Sequence, residues 1–332
     1  MLIRKSFNLL QIILGYFLSR ITRNVIHWGN PVSISIEPTN SCNLHCPECP
    51  SGQRILTRKK GFIEDSLFNK IISAVSGRLF FLTFYFQGEP YLHPGFTKMV
   101  KIAKLKKIRV STSTNGHFLN SENANSTVQS GLDKLIISLD GTDPDTYSSY
   151  RIGGSFDKVI EGIHEIVRQK KEVGSSKPKI ILQFLVLKTN EHQIAEVKIL
   201  GHRLGVDAVE IKTAQFYDFE NGNPLMPVNH RHCRYVSTET RSGKNIYHIR
   251  NQMPRHCFRM WSSCVITWDG DVVPCCYDKD AKYRMGNLAD KSFDEIWKSE
   301  KYREFRRKIL HSRETIDICR NCSEGIGITR II

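Results

Sequence analysis

The stretch Pro31-Val32-Ser33-Ile34-Ser35-Ile36-Glu37-Pro38-Thr39-Asn40-Ser41-Cys42-Asn43-Leu44-His45-Cys46-Pro47-Glu48-Cys49 decides how this chain is read. Its first half alternates apolar and polar residues, the period-2 pattern of a strand with one face buried. Its second half puts three thiols at CxxxCxxC spacing directly after that strand. Three thiolates can ligate three irons of a 4Fe–4S cubane and leave the fourth iron open. An open position on a redox cluster is a place for cofactor or substrate chemistry. The alternative is a zinc knuckle, with His45 as a fourth ligand to meet the tetrahedral preference of zinc.

Downstream, the apolar pattern switches repeatedly between strand and helix periods. Helices are expected over 66–76, 96–106, 156–171 and 192–204, and strands over 79–86, 108–114, 135–139, 179–187 and 208–213. Such alternation means βα units on a parallel sheet, with the loops at the strand C-terminal ends open for chemistry. Six strands fit between Val32 and Thr213, fewer than the eight of a closed barrel. The expected fold is therefore α/β, a partial (β/α)6 TIM-like barrel over 31–215.

Three further segments stand at expected strand ends: Gln87-Gly88-Glu89-Pro90, Thr114-Asn115-Gly116 and Ser138-Leu139-Asp140-Gly141, with Arg151 following in Tyr150-Arg151. Together with CxxxCxxC they make the chain resemble the radical SAM superfamily over roughly residues 32–215. The resemblance implies that Cys42, Cys46 and Cys49 hold the cluster and that S-adenosylmethionine (SAM) chelates its open iron. One electron then cleaves SAM to methionine and a 5′-deoxyadenosyl radical. Relatives carry a Gly-Gly-Glu motif whose carboxylate accepts the SAM ammonium; here Gln87 replaces its first glycine, while Gly88 and Glu89 are kept. The resemblance further puts Ser138 near the SAM ribose and pairs Arg151 with the SAM carboxylate, where guanidinium and carboxylate match in geometry. It gives the 114–116 turn no ligand role.

The chain has 332 residues, 40% hydrophobic and 24% charged, enough for a large domain and a smaller one with a sizeable core. The net charge of +15 favours acidic partners such as phosphorylated substrates, an acidic peptide or an anionic membrane. Its Lys and Arg residues are scattered rather than gathered into a recognised module, so no nucleic-acid partner is expected. The ten cysteines are clustered and no cleavable signal is convincing, so reduced thiols serving as metal ligands in the cytoplasm are expected.

Residues 1–30 form an expected N-terminal basic amphipathic helix. The apolar run Phe7 to Leu18 is too short to span a bilayer, which takes roughly 20 residues. The expectation is a helix packed outside the domain. The alternative is peripheral contact of residues 1–27 with the inner membrane surface. Residues 216–256 carry breakers such as Asn221-Gly222-Asn223-Pro224 and read as a linker or substrate-facing segment.

Residues 257–332 hold six of the ten cysteines: Cys257, Cys264, Cys275, Cys276, Cys319 and Cys322. Two paired sites apart in sequence suit either a tetrahedral metal or a fully ligated cluster. The Trp268-Asp269-Gly270 turn, a Pro274-Cys275-Cys276 strand, Gly286-Asn287 and Ile296-Trp297 before a basic helix resemble the SPASM family and its shortened twitch form. The expected architecture is a small β-hairpin plus helix, with one auxiliary 4Fe–4S cluster on Cys257, Cys275, Cys319 and Cys322. Cys264 could replace one of these. Cys276 should face away from Cys275 across the strand, and Cys233 reads as an exposed or packed thiol. In sulfatase-maturing relatives an aspartate follows the auxiliary cysteine as base. Here Cys276 holds that place and Asp278 comes later, so the role does not carry over and the catalytic base is open.

The implied activity is a radical SAM oxidoreductase or maturase abstracting hydrogen from a peptide or a small sugar- or alcohol-like molecule. A flavodoxin or ferredoxin would supply electrons. The rival is a non-catalytic Fe–S carrier or zinc-binding protein, which would not need the SAM motifs.

Overall fold

The computed structural model describes residues 2–240, 243–250, 253–322 and 329–331. Residues 323–328 and 332 of the expected 257–332 unit thus lie outside the described residues. Helix α1 (Leu2–Thr22) lies against the body, and β1 (Ser33–Ile36) leads through the cysteine loop to α2 (Pro50–Gln53) and α3 (Asp65–Val75). Then come β2 (Phe81–Thr83), α4 (Phe96–Leu105), β3 (Arg109–Thr114), α5 (Ser121–Gln129), β4 (Lys134–Ser138), α6 (Pro144–Tyr150), α7 (Phe156–Glu172), β5 (Lys179–Val186), α8 (Ile194–Leu204) and β6 (Ala208–Thr213). All six strands are parallel and neighbour one another in chain order. This is the partial (β/α)6 barrel expected.

The strand alternation separates the two faces of the sheet. Ile34, Leu82 and Val110 lie in one row and are buried. Helix α4 buries Phe96, Met99, Val100 and Ala103, at i, i+3, i+4 and i+7, in the same core. Ser35, Thr83, Ser111 and Lys134 form the neighbouring row on the opposite, inner face. The concave side of the barrel is thus largely polar, with a small apolar patch at Ile136, Ile181 and Ala208. Where a strand was expected over 79–86, only Phe81–Thr83 pairs. Phe84 makes the last ladder bond, from its N to Ser111 O at 2.7 Å, and packs on Phe68 and Phe96 with ring centroids 5.3 and 5.2 Å apart, so the apolar run outlasts the strand.

Residues beyond 257 are joined to the barrel rather than set apart. Helix α9 (Arg259–Ser262) leads to β9 (Ser263–Ile266), which pairs parallel to β1 with Ile34 opposite Cys264. A turn at Gly270, where φ is +88°, returns the chain as antiparallel β10 (Asp271–Val273), and β11 (Gly286–Asn287) pairs beyond it. At the other edge β12 (Thr329–Ile331) runs antiparallel to β6. Both edges of the six-stranded sheet are covered, which satisfies backbone groups an open edge would leave unpaired. The expected Pro274-Cys275-Cys276 strand does not form: β10 ends at Val273 and the three residues lie in a turn. The 216–256 segment is more ordered than its breakers implied, because β7 (Tyr235–Glu239) and β8 (Asn245–Ile249) form a separate antiparallel hairpin.

Helices α10 (Phe293–Trp297), α11 (Glu300–His311) and α12 (Asp317–Arg320) follow. Arg306 is buried with its guanidinium 4.4 Å from the Trp297 ring and 4.2 Å from the Tyr302 ring. It donates to Met260 O and Trp297 O, which ties α11 to α9 and α10. His27 stands edge-on to Trp297 at 5.1 Å. Burial and the charges of Arg306, Lys298 and Arg303 push its pKa from 6.5 to about 2. A depressed histidine contributes stability that is full above the unfolded pKa and lost as pH falls below it. Wild type should therefore lose about 1.4 kcal/mol relative to His27→Phe between about pH 7.5 and about pH 5.5. Urea unfolding at the two pH values checks this, and parallel curves would refute the burial of a neutral His27.

Candidate functional site

The cysteine loop leaves the C-terminal end of β1, where Glu37 is fully buried. The Glu37 carboxylate takes two hydrogen bonds from Arg58, at 2.7 and 2.9 Å, a bidentate pairing that fixes the direction of the loop. Arg58 also donates to Lys279 O at 3.0 Å, linking this end of the barrel to the turn after β10. Thr39 and Asn40 then close the loop base by donating to Gly61 O and Lys59 O. Gly88, at φ +74°, packs against the same base: a Cβ there would come within 2.5 Å of Thr39 O and 2.6 Å of Ser41 O. That close approach explains why glycine is kept where Gln87 departs from the double-glycine pattern. Gln87 itself is buried and accepts from Ser51 Oγ at 3.4 Å.

Cys46 is buried, and Cys42 and Cys49 are half-buried. Three N–H groups face their sulfurs. Leu44 N lies 3.5 Å and Asn115 Nδ2 3.9 Å from Cys42 Sγ, and Arg151 Nη1 lies 3.7 Å from Cys46 Sγ. Burial pushes the Cys42 thiol up to about 11 and raises that of Cys46, where Arg151 opposes the shift. A low-polarity loop whose donors point at sulfur suits metal-bound thiolates better than free ones. This donor set fits an iron–sulfur cluster. Among the described residues no three His, Cys, Asp or Glu side chains converge on a single-ion position; a cubane spreads its ligands over separate irons.

Glu89 is 2% exposed, and its carboxylate accepts from Thr114 Oγ1 at 2.7 Å, Asn115 N at 2.8 Å and Tyr91 N at 3.2 Å. Burial pushes its pKa up to about 7. The carboxylate therefore ties the end of β3 to the loop after β2. Through Asn115 it stands one residue from the Cys42 sulfur. Sequence reasoning gave Asn115 no role; the turn dipeptide Asn115-Gly116 masks a donor to the thiol.

Arg151 is held by Asp140, which is fully buried: Nε and Nη2 both lie 2.6 Å from Asp140 Oδ2, while Asp140 Oδ1 accepts from Leu185 N. The guanidinium is thereby aimed at Cys46 and lies over the Tyr150 ring at 5.7 Å. Ser138 is buried at the end of β4, in register with Gln183 and Glu210. The structure thus gathers Cys42, Cys46, Cys49, Gly88, Glu89 and Arg151 around one loop, with Ser138 on the inner rim.

At the second site Arg313 stands among Cys257, Cys319 and Cys322. It donates to Cys322 Sγ at 3.5 Å and hydrogen-bonds Cys319. Cys275 is close enough to Cys257 to feel its charge, and it hydrogen-bonds Cys276. Cys276 therefore sits beside Cys275 in the turn, which corrects its expected placement across a strand. The Cys276 thiol is pulled down, first by that bond and then by Arg259 and Lys279. Cys264 is in the core against Arg306 and Tyr302, with burial pushing its thiol up to about 12. Cys233 packs with Leu44 and Cys46 rather than at the surface. None of the ten cysteines forms a disulfide.

The two cysteine sites face one interior. Lys279 lies 4.8 Å above the Tyr217 ring and interacts with both Cys49 and Cys276. A small cavity of about 60 Å³ is lined by Ser35, Thr83, Arg259, Cys275 and Cys276. Tyr85, on the same side, feels Cys276, Glu210 and Arg259. No spacing in the sequence marks Lys279 or Tyr85, because they follow different strands, β10 and β2, that are brought together only in the folded sheet. The 216–256 segment closes over the loop, with Asn223 Nδ2 donating to Glu48 Oε1 at 2.9 Å and Phe216 and Tyr235 packing beside Leu44.

The chain matches the radical SAM superfamily over residues 36–198 and the SPASM iron–sulfur cluster-binding domain over 257–323. It is 28% identical over 319 residues to the tungsten-containing aldehyde ferredoxin oxidoreductase cofactor-modifying protein of Pyrococcus furiosus, covering 87% of this chain and 86% of that one. It is 24% identical over 281 residues to the PqqA peptide cyclase of Gluconobacter oxydans, covering 80% and 76%. In fold it is similar to Streptococcus suis SuiB bound to S-adenosylmethionine, with a TM-score of 0.64 at 13% identity over 92% of this chain and 74% of that one. The two family matches fall on the two cysteine sites in order, so the non-catalytic carrier and zinc-protein readings give way, and the chain belongs to the radical SAM superfamily as an enzyme with a SPASM domain that works with SAM and 4Fe–4S clusters.

Proposed function

We propose that this enzyme cleaves SAM reductively at a cluster on Cys42, Cys46 and Cys49 and abstracts hydrogen from a peptide or small-molecule substrate in the barrel. The observation that carries this reading is the set of N–H donors aimed at the Cys42 and Cys46 sulfurs at the C-terminal end of β1. When bound, the cluster and SAM supply a 5′-deoxyadenosyl radical. The protein's part is positioning. Asp140 orients Arg151 beside Cys46, Glu89 and Asn115 brace the β3 end against Cys42, and Ser138 offers a hydroxyl on the inner rim. Phe216, Tyr235 and Asn223 exclude water from the loop.

Cys257, Cys275, Cys319 and Cys322 would hold one auxiliary 4Fe–4S cluster that takes an electron from the substrate. Arg313, next to three of these sulfurs, balances their charge. The division follows: 31–215 as the radical SAM core, 216–256 as a substrate-facing cover and 257–332 as the auxiliary unit. A flavodoxin or ferredoxin in the cytoplasm would be the reductant, and no nucleic acid takes part. A peptide substrate is supported by the relationship to a peptide cyclase, and a small molecule by that to a cofactor-modifying protein.

Anaerobically reconstituted protein reduced by dithionite should form 5′-deoxyadenosine from SAM. The pair Cys319→Ala and Cys322→Ala should keep that activity and lose about half of the iron. A wild-type protein with intact clusters and no 5′-deoxyadenosine would defeat the proposal.

A further inference from the structure

Helix α1 carries a face the catalytic reading does not use. Its inner side is firmly seated: Asn8 exchanges hydrogen bonds with the Asn30 backbone, Tyr16 OH meets His256 Nδ1 at 2.8 Å, and a Cβ on Gly15 would stand 3.0 Å from Ile26 O. This is the packed helix expected from the sequence. Its outer side is an uninterrupted apolar stripe of Ile3, Phe7, Leu10, Leu14, Phe17 and Ile21, from 46% exposed at Leu14 to 86% at Ile3. Spacings of four and three residues put all six on one face. Single exposed leucines are ordinary, but a continuous stripe of this length marks an interaction surface. No helix among the described residues is long and apolar enough to cross a membrane.

Charge decides what covers the stripe. From Met1 to Ile36 the chain has Arg4, Lys5, Arg20 and Arg23 and not one Asp or Glu. At the C-terminal end of the stripe a cleft of about 350 Å³ is lined by Phe17, Arg20, Ile21, Arg23, Arg255 and His256. Apolar side chains beside an arginine cleft match the acyl boundary beside the phosphate layer of a bilayer. Pairing with a second copy would bring these arginines together with no counter-charge from the helix.

We infer that α1 docks the enzyme on an anionic membrane surface, its stripe entering the interface and the Arg20, Arg23 and Arg255 cleft taking lipid phosphate. The helix lies in the plane of the membrane and leaves the barrel in water. Vesicles of phosphatidylcholine alone and of phosphatidylcholine with phosphatidylglycerol, sedimented with the reconstituted full chain, test this. Binding to the anionic vesicles should be at least about tenfold stronger and should fall severalfold at high salt. The paired substitutions Phe7→Glu and Phe17→Glu should cut it by about tenfold or more, with circular dichroism and SAM cleavage in solution unchanged. If that variant fails to fold, the lipid and salt arms on wild type decide alone. Equal or absent binding to both vesicles overturns the inference. So does a wild-type dimer in solution that the paired substitutions disperse, since a second copy would then own the stripe.

Discussion

Cys46→Ala should lower reductive cleavage of SAM by at least about three orders of magnitude, a loss of about 4 kcal/mol of transition-state stabilisation. The thiol is the most buried of the three in the loop, and the Arg151 guanidinium is aimed at it. Two remaining thiolates leave one more iron without a protein ligand, so the cluster is lost or held in a form without a defined open iron. The fold should survive, because a cysteine behaves as a small apolar residue in packing and alanine leaves only a small void. The measurement is 5′-deoxyadenosine formation under dithionite, with iron content and far-UV circular dichroism read on the same sample. Activity within tenfold of wild type would show that the cluster sits elsewhere.

Arg151→Met should cost about 3–5 kcal/mol of stability. Asp140 is fully buried with its Oδ2 committed to Arg151, so removing the guanidinium leaves an unpaired carboxylate in the interior. The cost belongs to the stranded charge more than to the lost contact. Asp140→Asn in the Arg151→Met background should therefore recover a large part of the stability, since the neutral amide is cheaper to bury while its oxygen still accepts from Leu185 N. Chemical unfolding of the single and double variants checks the pattern. A single variant within about 1 kcal/mol of wild type would mean that water reaches Asp140. The double variant should keep its fold and still lose SAM cleavage, which separates the structural work of the pair from the positioning of Arg151 beside Cys46.

Local pattern made the βα alternation legible. Each strand and helix carries its own period, and an apolar residue at every second or every third to fourth position reports burial without knowledge of its partner. The CxxxCxxC loop was legible for the same reason, since its three ligands lie within eight residues. Misreadings came where burial and pairing part company. The apolar run over 79–86 is longer than its strand because Phe84, at the end of the ladder, also packs on aromatic rings. The hairpin Tyr235–Glu239 and Asn245–Ile249 was hidden because β7 and β8 are largely exposed and lack alternation.

By itself the sequence determined the parallel βα order, the cysteine loop at the end of the first strand and the existence of a second cysteine-rich unit, all written in short-range spacing. Only the tertiary structure decided that β9 joins β1. That pairing brings the turn after β10, with Lys279 and Cys276, within charge reach of Cys49. The tertiary structure also placed Asn115 and Arg151 against particular sulfurs and turned the apolar stripe of α1 outward. The physical reason is that contacts between residues far apart in the chain depend on which edges and faces the sheet leaves open. Those edges and faces exist only once the barrel has formed.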